Sequence, residues 1–133
     1  MEGPRLIFDV PWSALCSDNR KYVTGYILSR EYRESKAFIA ALSVAAAKKH
    51  GWHCTLERIA LAVSIREPDK RRRDINFSKN LKDGITMGGA IWEDDSHVRD
   101  ECWAMLDHLP RSKDTAGATI TIYPLSEPRH ESH

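Results

Sequence analysis

A chain of 133 residues can fold as one compact domain around a single core. Apolar residues at 41% and charged residues at 29% are ordinary for a globular protein, and no apolar run reaches the length of a membrane-spanning helix, so no membrane partner is expected. The formal net charge of +1 hides a local separation, because four cations (Lys70 to Arg73) and three anions (Glu93 to Asp95) each stand in an unbroken run. Met1 to Arg5 lack the basic-then-apolar pattern of a secretory signal, so the expected location is cytoplasmic. Cys16, Cys54 and Cys102 are odd in number and share no paired spacing, which argues against a disulfide framework and a structural zinc site.

In chain order, Leu6 to Val10 is a short β-prone run closed by Pro11 and reads as the first strand. Residues 12 to 28 read as a loop, with a short extended piece around Tyr26 and Ile27. Ser29 is a candidate N-cap for a helix over residues 30 to 50, with an apolar stripe, cations Lys48 and Lys49 in the last turn, and Gly51 as its stop. Ile59, Leu61, Val63 and Ile65 alternate with small residues and mark a strand ended by Pro68. A charged loop over 68 to 74 leads to a second helix from about Asn76 to Met87, stopped by Gly88-Gly89.

Ile91-Trp92 starts a short extended piece before the acidic run. Val98 to Leu106 and Thr119 to Tyr123 read as two further strands joined as a hairpin across a polar turn. The order β-α-β-α-β-β gives an α+β fold, a single small domain with a mixed sheet packed by two helices. The expected domain covers residues 1–124, with 125–133 as a polar tail.

The segment from Pro68 to Val98 holds the chemistry. Asp74 precedes the second helix and Asp95 follows it. A helix of this length is roughly 18 Å long. The return from Gly88 can span roughly 23 Å. The chain is therefore long enough to bring Asp95 back beside Asp74 at the helix N-terminus, where free N–H groups favour anions. Two carboxylates there can hold a Mg²⁺ that keeps waters for a phosphate to replace. Arg71, Arg72 and Arg73 would hold flanking phosphates. Asn76, Lys79 and Asp83 share one helix face, and Phe77, Leu81 and Ile85 share the core-facing one. Lys79 can then meet charge on the scissile phosphate. Each feature also has a plain reading: Asp74 as a helix cap, Asp94-Asp95 as a solvated turn, Lys79 and Asp83 as a surface ion pair.

The pattern as a whole resembles the RusA family of Holliday junction resolvases. The residues that carry the likeness are Arg71-Arg72-Arg73-Asp74, Asn76 with Lys79, Asp83-Gly84-Ile85, and Trp92-Glu93-Asp94-Asp95-Ser96-His97-Val98. Val10-Pro11-Trp12 and Asp18-Asn19-Arg20-Lys21-Tyr22 resemble the family's Pro-Trp and Asn-Arg-x-Tyr segments. The resemblance implies a homodimer that nicks four-way junctions or other branched DNA in pairs with Mg²⁺, for which Mn²⁺ can substitute. It implies Asp74, Asp95 and Lys79 as catalytic residues and Asp74 and Asp95 as metal ligands. Asn19, Arg20, Lys70 to Arg73 and Asn76 would then face the DNA. The family pattern carries two aspartates before the asparagine, whereas this chain reads Asp74-Ile75-Asn76. Asp94 or Asp83 would compensate as ligands, or the chain would be a non-catalytic branched-DNA-binding protein of the same fold.

Overall fold

The structure, a computed structural model, describes residues 5–24, 27–55, 57–71, 75–107 and 110–125. Strand β1 is Leu6–Pro11, whose even positions Leu6, Phe8 and Val10 are buried while Ile7 and Asp9 face out. The segment read as one loop contains two 3-10 turns, Trp12–Ala14 and Asp18–Arg20, and a small antiparallel pair, β2 (Tyr22–Thr24) with β3 (Ile27–Leu28). These pieces are too short to leave a periodic signal. Tyr26 lies outside the described residues.

Helix α1, Arg30–His50, matches the expected span. The Ser29 hydroxyl accepts the N–H of Tyr32 at 3.0 Å, and Gly51 ends the helix at φ 64°, a left-handed conformation that costs glycine little. Strand β4 is Ile59–Arg66 and helix α2 is Ser78–Gly88, closed by Gly89 at φ 68°. A 3-10 turn, Asp95–His97, leads into β5, Val98–Met105, and the last strand, β6, is Gly117–Pro124. The extended piece at Ile91-Trp92 is reduced to one bridge between Thr55 and Trp92. Residues 126–133, the rest of the expected tail, lie outside the described residues.

The four-stranded sheet has the order β1-β6-β4-β5. The expected hairpin between the last two strands is not formed. Instead β6 lies antiparallel between β1 and β4, and β5 runs parallel to β4 at the edge. The residues explain the exchange. Ala118, Ile120 and Ile122 of β6 are fully buried and need neighbours on both sides. Strand β5 carries Arg99, Asp100 and Glu101, and a charged strand is suited to an edge. Parallel pairing also requires a long crossover, and α2 supplies it between β4 and β5.

Both helices contribute to one core against one face of this sheet: Ile39, Ala46 and Ala47 of α1, Leu81 and Ile85 of α2, and the inward residues of β1, β4 and β6. The helices meet closely along two glycines. A Cβ on Gly84 would lie 2.6 Å from the Ile39 side chain, and one on Gly88 would lie 2.6 Å from Ser43 Oγ. Gly84→Ala is therefore expected to destabilise the fold by about 1–3 kcal/mol, despite alanine's better helix propensity. Thermal melting of the variant checks this, and an unchanged or higher midpoint contradicts the close approach.

Candidate nucleic-acid and metal site

Helix α2 begins two residues later than expected because its cap comes from elsewhere in the chain. Phe77 occupies the N-cap position with no side-chain bond of its own. The Asp18 carboxylate instead accepts the backbone N–H groups of Lys79 at 3.0 Å and Asn80 at 2.8 Å, and the Asp18 N–H donates to the Asn76 carbonyl at 2.8 Å. Burial raises the Asp18 carboxyl above its ordinary value, against the pull of those two N–H groups.

Just beneath this cap, Asn80 is fully buried. Its Oδ1 accepts the Cys16 N–H at 3.0 Å, and its Nδ2 donates to Ser35 Oγ at 2.9 Å. Ser35 in turn donates to the Ala14 carbonyl at 2.5 Å. Trp12 packs edge-on against Phe77 with ring centroids 5.7 Å apart. The start of α2 is thus locked to the segment 12–18 and to α1.

One turn along, Asp83 Oδ2 accepts the Tyr32 hydroxyl at 2.5 Å and the Lys21 ammonium at 3.3 Å. Burial, then the Asp83 hydrogen bond and charge, push the Tyr32 phenol well above its usual range. For Lys21, burial favours the neutral form, but the Asp83 hydrogen bond and charge outweigh it and hold the ammonium. Asp83 is therefore engaged with α1 and the 3-10 turn region rather than with Lys79, which is exposed.

The residues expected to face DNA divide as follows. Asp74, Arg72 and Arg73 lie outside the described residues, as does the side chain of Arg20. Asn19, Lys70, Arg71, Asn76 and Lys79 are all exposed. Arg71 lines a groove of about 320 Å³ with Trp12, Ser13, Asp69 and Lys113. That groove abuts the Trp12–Phe77 contact, so Arg71, Lys113 and the start of α2 share the end of the sheet where β4 finishes.

Asp94 and Asp95 lie elsewhere. Val98, three residues past Asp95, pairs with Ile59 at the beginning of β4. Asn76, by contrast, lines a groove with Ile65 and Met105 at the far ends of β4 and β5. An eight-residue strand is roughly 23 Å long. The expectation that the return from α2 carries Asp95 back to the start of that helix is therefore corrected: β5 runs parallel to β4, so the return ends at the opposite end of the sheet. Asp94 caps the short turn there, accepting the Ser96 N–H at 2.7 Å and the Ser96 hydroxyl. These bonds lower its carboxyl below the ordinary value. Asp95 is exposed. Among the described residues no three His, Cys, Asp or Glu side chains gather as a metal-holding group.

Sequence reading gave Asp18 and Lys21 no role of their own and missed Tyr32 and Asn80, which act through contacts across the fold, and Lys113, which lines the groove with Arg71. It also missed Glu101. Burial favours protonation of this carboxyl, but Lys82 at 2.9 Å outweighs it and lowers the value below the usual 4.5. A group with a depressed folded value stabilises above its unfolded value and loses that contribution as pH falls through the folded one. The stability advantage over Glu101→Gln is therefore expected to be full at neutral pH and to fade below about pH 4.5, as denaturant midpoints measured across pH would show. A constant difference down to strongly acidic pH would contradict the pairing.

No protein-family model matches this chain, and no curated protein matches it.

Proposed function

We propose that the chain is a Mg²⁺-dependent, structure-specific endodeoxyribonuclease that acts as a homodimer and resolves Holliday junctions or other branched DNA by paired phosphodiester nicks. The observation that carries this reading is the RusA-like spacing of Arg71-Arg72-Arg73-Asp74, Asn76, Lys79 and Trp92-Glu93-Asp94-Asp95. Support comes from the clustering of Trp12, Arg71, Lys113 and the capped start of α2 at one end of the sheet. There Lys79, Asn76, Asn19 and the basic run from Lys70 would hold phosphates.

Because Asp95 stands at the opposite end of its own chain, the ion in this reading is shared. Asp74 of one copy would then serve the same ion as Asp95 of the partner subunit. A two-fold axis would supply the two sites that paired nicks need. When bound, the ion would polarise the phosphodiester and lower the pKa of an attacking water. Lys79 would face the developing charge. Asp83, held by Tyr32 and Lys21, keeps a positioning role.

A second reading, a branched-DNA-binding protein that does not cut, is favoured by the single aspartate of Asp74-Ile75-Asn76 where the family pattern carries two. Mn²⁺ titration of the protein separates the two. Saturable binding that is lost in Asp95→Asn supports the enzyme, and junction affinity indifferent to the ion supports the binding protein. Neutralising Lys70 and Arg71 is expected to weaken junction binding and reduce the steepness of its salt dependence by about 2 in log-log slope, one for each cation that no longer meets a phosphate. An unchanged slope argues against DNA at this end.

A further inference from the structure

Three neighbouring strands deliver three side chains to one end of the sheet. Pro11 of β1 and Arg66 of β4 both pair with Gly117, the first residue of β6. Trp12 follows β1, the loop carrying Arg71 follows β4, and the loop carrying Lys113 precedes β6. All three side chains line the groove of about 320 Å³.

The groove is built from tied parts. The Trp12 N–H donates to the Ala116 carbonyl at 3.1 Å, and its ring packs edge-on with Phe77. Arg66 Nε donates to the Thr115 carbonyl at 2.8 Å, and a Cβ on Gly117 would lie 2.3 Å from the Val10 carbonyl oxygen, so the Lys113 loop is pressed against β1. In the other loop, Asp69 Oδ1 accepts the Arg71 N–H at 2.9 Å and Asp69 Oδ2 lies 3.6 Å from the Arg71 guanidinium. Trp12 is half-buried, whereas Arg71 and Lys113 are exposed.

Size and charge select the occupant. The volume is at the lower end of those that hold a small molecule, which is room for one nucleotide and not for paired strands. Asp69 and Asp114 also line the groove, so its two cations are matched by two acids. Duplex DNA carries one charge per about 1.7 Å of axis, and a single strand half of that. A charge-balanced groove with an aromatic ring suits the sparser strand, because the base supplies the attraction that charge does not.

We infer that this groove holds one unpaired nucleotide of a DNA single strand, its base stacked on Trp12 and its neighbouring phosphates on Arg71 and Lys113. The inference rests on the DNA reading of the proposed function and names the part of a branched substrate taken here, a base left without a partner at the branch. Every base has a π-face, so the groove is tolerant of sequence.

Fluorescence anisotropy of two labelled strands tests it, one a run of twelve thymidines and one the same length of base-free sugar phosphate. The wild-type chain is expected to bind the thymidine strand about tenfold more tightly. Trp12→Leu keeps an apolar contact for Phe77 and is expected to bind both strands alike. Lys113→Gln is expected to weaken both strands and to lower the salt slope by about 0.7 in log-log terms, with the preference for bases kept. Equal binding of the two strands by the wild-type chain, a preference that survives in folded Trp12→Leu, or an unchanged slope in Lys113→Gln would each overturn the assignment. The first comparison needs no variant. Junction cutting without the preference for bases would sink the groove alone, and the preference without cutting would sink the nuclease alone.

Discussion

Asp74→Asn and Asp95→Asn are each expected to reduce junction cutting by about 10³-fold while leaving junction binding intact, and mixing the two dead proteins is expected to restore cutting. The size follows from the several kcal/mol that a divalent ion contributes to charge stabilisation, at a factor of ten per 1.36 kcal/mol. The rescue follows from the ion shared between two copies in the proposed function. Asp95 stands by the first residue of β5, and Asn76 stands by the last. A site that uses both ends must therefore draw on two copies. In a mixed dimer one site carries both substitutions and the other carries neither. Random exchange at equal concentrations leaves roughly a quarter of all sites intact. The products should be single nicks rather than paired ones, because only one site of each mixed dimer works. If both carboxylates acted within one chain, every site in the mixture would be dead. Recovery of about a quarter of wild-type nicking against none separates the two arrangements on a denaturing gel.

Asn80→Ala is expected to be the most destabilising single substitution near the site, at about 3 kcal/mol, lowering the melting midpoint by about 10 °C. Asn80 is fully buried, and its amide joins three elements. Truncation leaves the Cys16 N–H without its acceptor in a buried place and removes the donor that Ser35 Oγ receives. An unsatisfied buried group costs far more than an average hydrogen bond contributes. Asn80→Asp keeps the acceptor but loses the donor and buries a charge beside Asp18, so it is also expected to destabilise. An exposed substitution on the same helix, Lys79→Ala, should barely change the midpoint, because Lys79 contributes only its backbone N–H to the cap. A shift under about 2 °C for Asn80→Ala would mean the network is dispensable.

Much of the fold is legible in the sequence where a residue acts through its own neighbours. Ser29 and Gly51 mark the ends of α1, and the alternation of Ile59 to Ile65 marks β4, because caps and periodicity are local. Phe77, Leu81 and Ile85 are buried as their helical spacing implies. Strand order is not local. Nothing in the sequence of Val98 to Met105 states that it pairs with β4 rather than with β6, and that choice alone decides which end of the sheet Asp95 occupies. The cap on α2 is hidden for the same reason: Asp18 lies 61 residues before the N–H of Lys79 that it accepts. Asp83 reads as half of a surface pair with Lys79, yet folding hands it to Tyr32 and Lys21, 51 and 62 residues away.

Phosphodiester cutting of branched DNA is measured most directly by incubating the wild-type protein with an end-labelled synthetic four-way junction in Mg²⁺. The expected result is two symmetric nicks that yield linear duplexes, with none in the presence of a chelator. A junction that is bound, as judged by a mobility shift, yet stays intact in Mg²⁺ and Mn²⁺ at every protein concentration would contradict it.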